Sequence, residues 1–274
     1  MSDPPRIPGF PTHIRLIERL GTGTTSTVWR ARDRATGVDV AVKLVEDRPG
    51  GPSATERVER EGRALARVGD HPGILTVLAV GLGEDRATGW IVTPLVDGRP
   101  LDETVDPLTS DQALVLGASA SDALAHAHRL GVAHGDLSPS NVFIDSDGCA
   151  VLGDFGLATL DGPASPAGFT PAFAAPERRR GGAPTPAADV YSLGAVLWWA
   201  RTRQVAPSVL PSQPRPSQPR PSQPQKSQAD RLHTVVDACM RTDPADRPSA
   251  ADVAALCRRP PPRRPAIGRR SRPG

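Results

Sequence analysis

The chain has 274 residues, 38% hydrophobic and 4% aromatic, with a formal net charge of +3, enough to bury a sizeable, mainly aliphatic core. Its three cysteines, Cys149, Cys239 and Cys257, are odd in number and lack metal-ligand spacing, which favours free thiols in a reducing cytoplasm over a disulfide framework. No apolar run approaches the roughly 18 residues that a spanning helix needs, and the proline-rich N-terminus shows no signal peptide, so a membrane-spanning receptor is disfavoured.

In chain order, the first pattern is Gly21-Thr22-Gly23-Thr24-Thr25-Ser26-Thr27-Val28 between the apolar runs Ile14 to Leu20 and Val28-Trp29. It reads as a strand pair joined by a glycine-bearing turn. Glycines allow close backbone approach, and the loop amides can then face phosphate oxygens; taken alone, the string is equally an ordinary hairpin turn. Val40-Ala41-Val42-Lys43 is a strand ending in a lysine, which by itself reads more often as a snorkelling edge residue. Thr55 to Val68 is a charged helical pattern holding Glu59 and Glu61, which two positions apart face different ways. Gly62 beside them costs that helix about 1 kcal/mol relative to alanine, so a mobile helix is expected. Ile91 to Gly98 is an apolar strand running into a proline- and glycine-marked loop.

The most informative stretch follows. His134, Asp136 and Asn141 lie in the string HGDLSPSN, and Asp154-Phe155-Gly156 comes after a short apolar hairpin. Val142-Phe143-Ile144, then Asp145-Ser146-Asp147-Gly148, then Ala150-Val151-Leu152 read as strand, tight turn and strand, which brings Asn141 and Asp154 to one end of the hairpin. Magnesium takes one or two protein carboxylates and fills its shell with water and substrate phosphate, so Asp154 with Asn141 is an adequate ligand pair. Asp136 is then left to orient a hydroxyl. Further on come Ala175-Pro176-Glu177, Asp189-Val190-Tyr191-Ser192-Leu193-Gly194 and Asp243-Pro244-Ala245-Asp246-Arg247-Pro248.

In this order, from about residue 14 to residue 257, these motifs resemble the eukaryotic-type (Hanks-type) serine/threonine protein kinases of bacteria. The HxDxxxxN string is shared with small-molecule kinases of the aminoglycoside and choline type; the trio of Glu177, Asp189 and Arg247 is not. The resemblance implies an α+β, bilobal protein kinase-like fold with a small β-rich N-lobe over 14–96 and a larger, mainly helical C-lobe over 97–257. An N-terminal arm over 1–13 and a basic tail over 258–274 would flank it. The implied reaction moves the γ-phosphate of Mg-ATP to a protein hydroxyl, with Asp136 positioning the acceptor, Lys43 on the α and β phosphates, and Glu61 holding Lys43, Glu59 being the fallback. Asn141 and Asp154 would hold magnesium, with manganese as an alternative. Nucleotide contacts would come from Gly21, Gly23, Ser26 (where the third glycine usually lies), Val28, Ala41, Lys43, the gatekeeper Thr93, the Pro94 carbonyl, the Val96 amide and Phe143. Asp189 is expected to hydrogen-bond the catalytic-loop backbone, Arg247 to pair with Glu177, and Thr170-Pro171 to lie near the acceptor peptide.

Departures from the family pattern carry expectations too. Gly135 replaces the arginine that usually follows the histidine, so a phosphorylated activation loop would lack its cationic partner and control by that route is not expected. Ser138 stands where a lysine usually steadies the transferring phosphate, and losing one such donor typically costs on the order of 10² to 10³ in rate. A pseudokinase-like nucleotide-binding scaffold is therefore the alternative. Residues 211 to 225 are three tandem pentads, PSQPR, PSQPR and PSQPQ, inside a proline-rich insert over about 207–228 that favours extended polyproline II and is read as a passive loop or a docking element. The tail holds Arg258, Arg259, Arg263, Arg264, Arg269, Arg270 and Arg272 with no acidic residue, and without these seven charges the chain stands at −4. An acidic partner or anionic lipid would suit such a tail; a solvated end is the preferred reading, and nucleic acid is not expected.

Overall fold

The computed structural model of the chain describes residues 5–23, 26–47, 52–84, 86–155, 169–207 and 228–258. The N-terminal part is a five-stranded antiparallel sheet of β1 (Ile14–Thr22), β2 (Ser26–Asp33), β3 (Asp39–Glu46), β4 (Ala79–Leu82) and β5 (Thr88–Pro94), in the order β1-β2-β3-β5-β4. In β3 the side chains alternate: Val40, Val42 and Leu44 are buried with Trp29, Ala31, Trp90 and Val92 in one core cluster. Ile7 and Phe10 of the N-terminal arm pack on that cluster, with the Phe10 ring edge-on to Trp90 at 5.6 Å.

The opposite face of β3 carries Ala41, Lys43 and Val45. Helix α1 (Ala54–Val68) covers its far end, where Val45 and Ile91 meet Ala54 and Val58. A capping box starts this helix: Ser53 accepts the Glu56 backbone N–H and the Glu56 carboxylate accepts the Ser53 N–H. Its other end belongs elsewhere, because Ala64, Leu65 and Val68 join the large C-terminal core. Helix α1 thus has a foot in both cores, and its buried Glu61 lies between them. The helical range expected from Thr55 agrees with the observed one to a single residue.

The C-terminal part combines a three-stranded sheet, β6 (Gly98–Pro100), β7 (Val142–Asp145) and β8 (Ala150–Leu152), with helices α2 (Ser110–Arg129), α3 (Pro176–Arg179), α4 (Pro186–Thr202), α5 (Gln228–Cys239) and α6 (Ala250–Arg258). β7 and β8 pair in the register Val142↔Leu152, Phe143↔Val151 and Ile144↔Ala150, which is the hairpin expected from the sequence. Small residues let the helices close up: a Cβ at Gly194 of α4 would lie 2.7 Å from the Cys239 Cβ on α5. Cys239 and Cys257 are buried free thiols, both pushed above the ordinary thiol range by burial, Cys257 to about 11, so neither is poised to react. Among the described residues no helix is long and apolar enough to cross a membrane. The PSQPR repeat, the arginines after Arg258, Thr24, Thr25, Gly156 and two of the three candidate phosphate acceptors of the activation loop, Thr159 and Ser165 (the third being Thr170), lie outside the described residues.

Candidate active site

Strand register decides which side chains share the cleft face. Val28 pairs with Lys43, and Ala41 pairs with Thr93, so all four point to one side of the sheet. Lys43 Nζ lies 2.8 Å from Glu61 Oε2, 3.1 Å from Glu61 Oε1 and 2.7 Å from Asp154 Oδ1. Burial pulls the Lys43 ammonium down, but the Asp154 and Glu61 carboxylates outweigh it and its pKa rises, so the lysine stays charged. Burial pushes Glu61 up to about 7, against Lys43 and with the help of Asp154. Glu59, two residues away, pairs with Arg63 on the surface at 3.0 Å, which settles that Glu61 is the partner of Lys43.

Asp154 reaches Lys43 from an unusual backbone. Its φ of 56° is left-handed, a region that a non-glycine residue occupies at a cost and that is common at functional sites. Gly153 before it is wedged so tightly that a Cβ would lie 2.8 Å from Leu75 Cδ1 and 3.0 Å from Phe143 Cε2. The chain leaving β8 is therefore held in one path.

A ladder of hydrogen bonds holds the loop opposite. The wholly buried His134 accepts the Asp136 N–H at Nδ1 (3.3 Å), so Nε2 carries the proton and donates to the Gly153 carbonyl at 2.9 Å. Its ring packs on Phe155 with centroids 4.6 Å apart. Asp189 of α4 accepts the His134 N–H (2.7 Å), the Gly135 N–H (2.9 Å) and His128 Nε2–H (2.9 Å). Burial alone would raise this carboxyl; the His128 bond and the other donors carry it below the usual carboxylate range. Asn141 Nδ2 donates to the Asp136 carbonyl at 2.8 Å, which fixes the amide orientation and leaves Oδ1 as the atom for a cation. Asp136 Oδ1 accepts the Thr170 N–H at 2.7 Å. Burial raises the Asp136 carboxyl, partly offset by the bonds from Thr170.

Together these side chains place a buried cation between two carboxylates, oxygen-bearing Asn141 and Asp154 at one hairpin end, and the Asp136 carboxylate against the segment after residue 168. The protein kinase domain family matches residues 14–256, in agreement with that geometry. The chain belongs to the protein kinase family. It is 36% identical over 273 residues to the serine/threonine-protein kinase PkaA of Streptomyces coelicolor, covering 87% of this chain and 48% of that protein. It is 36% identical over 261 residues to the serine/threonine-protein kinase PknK of Mycobacterium tuberculosis, covering 86% of this chain and 22% of that one. The DNA damage-responsive serine/threonine-protein kinase RqkA of Deinococcus radiodurans is 37% identical over 195 residues, 67% of this chain and 29% of its own length. The chain spans about half the length of these relatives, or less.

Within this kinase domain the remaining sequence expectations find definite places. The Gly23 N–H donates to the Ser26 carbonyl at 2.8 Å, closing the turn between β1 and β2, while a Cβ at Gly21 would meet nothing within 4 Å. Val28, Ala41 and Thr93 lie on the Lys43 face, and Phe143 is half-buried in β7. Pro94 pairs with Val40 on the opposite face, and with Val96, Ile74, Leu75 and Val151 it lines a rear cleft of about 440 Å³. Ser138 is buried, its hydroxyl 3.0 Å from the Ser140 hydroxyl, and supplies no cation. Arg247 pairs with Glu177 as expected. Three residues had no assigned role on sequence grounds: the brace His134, the Asp189 partner His128, and the buried Arg178. His134 was visible within its motif; for the other two only the fold reveals the partner.

The donor set fits magnesium. Asp154 and the Asn141 Oδ1 atom are hard oxygen donors, the type that magnesium accepts beside water and phosphate oxygens.

Proposed function

We propose that the chain is an ATP-dependent serine/threonine protein kinase of the bacterial Hanks type, acting in signalling and transferring the γ-phosphoryl group to a protein hydroxyl. The observation that carries this reading is the closed Lys43–Glu61 pair with Asp154 on the same ammonium, because a kinase needs that pair assembled before transfer. Lys43, oriented by Glu61, binds the α and β phosphates. Gly21, Gly23 and Ser26 cover the phosphates; Val28, Ala41, Thr93 and Phe143 line the adenine site with the Pro94 carbonyl and the Val96 amide. Asp154 and Asn141 would hold magnesium, or manganese, which when bound neutralises phosphate charge. Asp136 takes the proton from the acceptor hydroxyl as its oxygen bonds to phosphorus and the bond to the β-phosphate oxygen breaks, leaving ADP.

The kinase unit is taken as 14–257, with the 211–225 repeat and the basic tail as candidate docking elements, and the free thiols agree with a cytoplasmic setting. Transfer of labelled phosphate from Mg-ATP to the chain itself or to a generic basic protein tests the reading. Asp136→Ala and Lys43→Ala are expected to lower the rate on the order of 10² to 10⁴-fold. A wild-type signal no greater than that of the variants, with nucleotide still bound, would leave a pseudokinase-like scaffold in its place.

A further inference from the structure

The string Ala175-Pro176-Glu177-Arg178-Arg179-Arg180 presents three consecutive arginines after the activation-segment motif. Arg179 and Arg180 are exposed, whereas Arg178 is 2% exposed. A buried guanidinium normally spends all five of its N–H groups. Arg247 does so, donating to both Glu177 oxygens and to the carbonyls of Ala187, Arg241 and Thr242. Arg178 does not. Its Nη1 donates to the Gly182 carbonyl at 2.6 Å, while Nε and Nη2 are buried with no acceptor among the described residues. A buried charge left mostly unsatisfied is costly, and where it persists a functional reason is the first to seek.

Its surroundings supply one. Arg178 lines a small cavity, with room for about one water molecule, together with Gly135, Asp136, Thr170 and Asp189. Gly135 has φ of 83°, where any L side chain is strained, and it presents no side chain into that space. The cation that the family pattern puts after the histidine is missing there, and a different cation reaches the same space from α3. The guanidinium carbon sits 5.0 Å from the Phe169 ring centroid, and Thr170, next to Phe169, donates to Asp136. Burial pulls the Arg178 pKa down, and attraction to Asp189, then Asp136, then Glu177 opposes it.

We propose that Arg178 is a positioning residue that replaces the cation absent at position 135. It clamps the segment Phe169–Ala174 to the catalytic loop, so that Asp136 is aligned without phosphorylation of the chain between Phe155 and Phe169. This rests on the kinase reading above and adds a mode of regulation to it. The cation is built in, so the site needs no phosphate to engage it.

The test is steady-state phosphotransfer by the full chain to histone as a basic acceptor, before and after phosphatase treatment, alongside thermal melting of each variant. Arg178→Met keeps the volume and removes the charge; Arg178→Lys keeps the charge. Expected are a kcat at least tenfold lower for Arg178→Met with KM for ATP within twofold, recovery of at least a third of the loss by Arg178→Lys, and a wild type indifferent to phosphatase. Phe169→Leu removes the partly exposed ring under the guanidinium and serves if Arg178→Met does not fold; kcat should fall severalfold at unchanged melting temperature. The inference is overturned if Arg178→Met or Phe169→Leu transfers phosphate within twofold of wild type, if the lysine variant is no better than the methionine one, or if phosphatase abolishes wild-type activity. An inactive wild type would instead overturn the kinase reading itself.

Discussion

Lys43 carries one positive charge against two carboxylates within hydrogen-bond distance, Glu61, which is buried with it, and Asp154, which is partly exposed. The triad is therefore one proton short of neutral, and Glu61, the more buried carboxylate, is where that proton goes. Burial is the main cause of its rise to about 7, with Asp154 adding to it and Lys43 opposing. The sign for stability follows from linkage: a folded pKa above the unfolded value of 4.5 means that the folded state binds the proton more tightly, so this contribution is full below about 4.5 and is lost as pH rises through about 7. Wild-type protein should lose thermal stability between pH 6 and pH 8 more steeply than Glu61→Gln, which has no proton to lose. Parallel pH slopes for the two proteins would rule this out. Phosphotransfer by Glu61→Gln should be weakened by loss of the charged anchor for Lys43, with KM for ATP raised. The identities of these residues were legible in the sequence because each sits in a string with fixed spacing. The competition between burial and charge was not, since no local pattern encodes how deep a carboxylate lies.

Among the elements, α1 shows where propensity reasoning stops short. Gly62 reads from sequence as a weak point, a cost of about 1 kcal/mol that points to a mobile helix. The structure gives it a contact as well: a Cβ there would lie 3.2 Å from Val80 Cγ1 on β4. Val80 is 43% exposed on an edge strand, so its side chain has room to yield by a few tenths of an ångström. Gly62→Ala should therefore keep most of the propensity gain, stabilising by up to about 1 kcal/mol and raising the melting temperature by about 2–4 °C. Gly81→Ala makes the contrast, because its Cβ would overlap the Trp90 ring and nothing there can move away cheaply. A lower melting temperature for Gly62→Ala would show that the Val80 contact is tighter than its exposure implies. Elements with a strong local signature were legible: the β7–β8 hairpin by its turn residues, and α1 by its period. That Ala64, Leu65 and Val68 of α1 belong to the C-terminal core was not, because the apolar stripe of a helix does not state which core receives it.

For the molecule as a whole, the long-range pairs were readable only where a family motif names both partners, as for Glu177 and Arg247, seventy residues apart; Arg178 and Gly135 have no such key, and only the fold brings them to one cavity. The Arg247 pair is also the one whose stability role is clearest. Its guanidinium bonds both Glu177 oxygens at 2.6 and 2.9 Å, takes three backbone carbonyls, and lies 5.0 Å from the Tyr191 ring centroid. It thereby ties α3, the start of α4 and the turn before α6 into one body. Removing one partner of such a buried pair strands the other and should destabilise by about 3–5 kcal/mol, and Arg247→Met is expected to do so. Arg247→Lys should fare little better, because one ammonium cannot span two carboxylate oxygens and three carbonyls at once. Burial raises the Glu177 carboxyl, but its bonds to Arg247 dominate and hold it below the ordinary value of 4.5. Its contribution is thus present above about 4.5 and lost as pH falls through the lower folded value. Urea unfolding at pH 7 and pH 4 should show the variants losing less stability on acidification than the wild type does; Arg247→Lys within about 1 kcal/mol of wild type at pH 7 would refute the five-bond account.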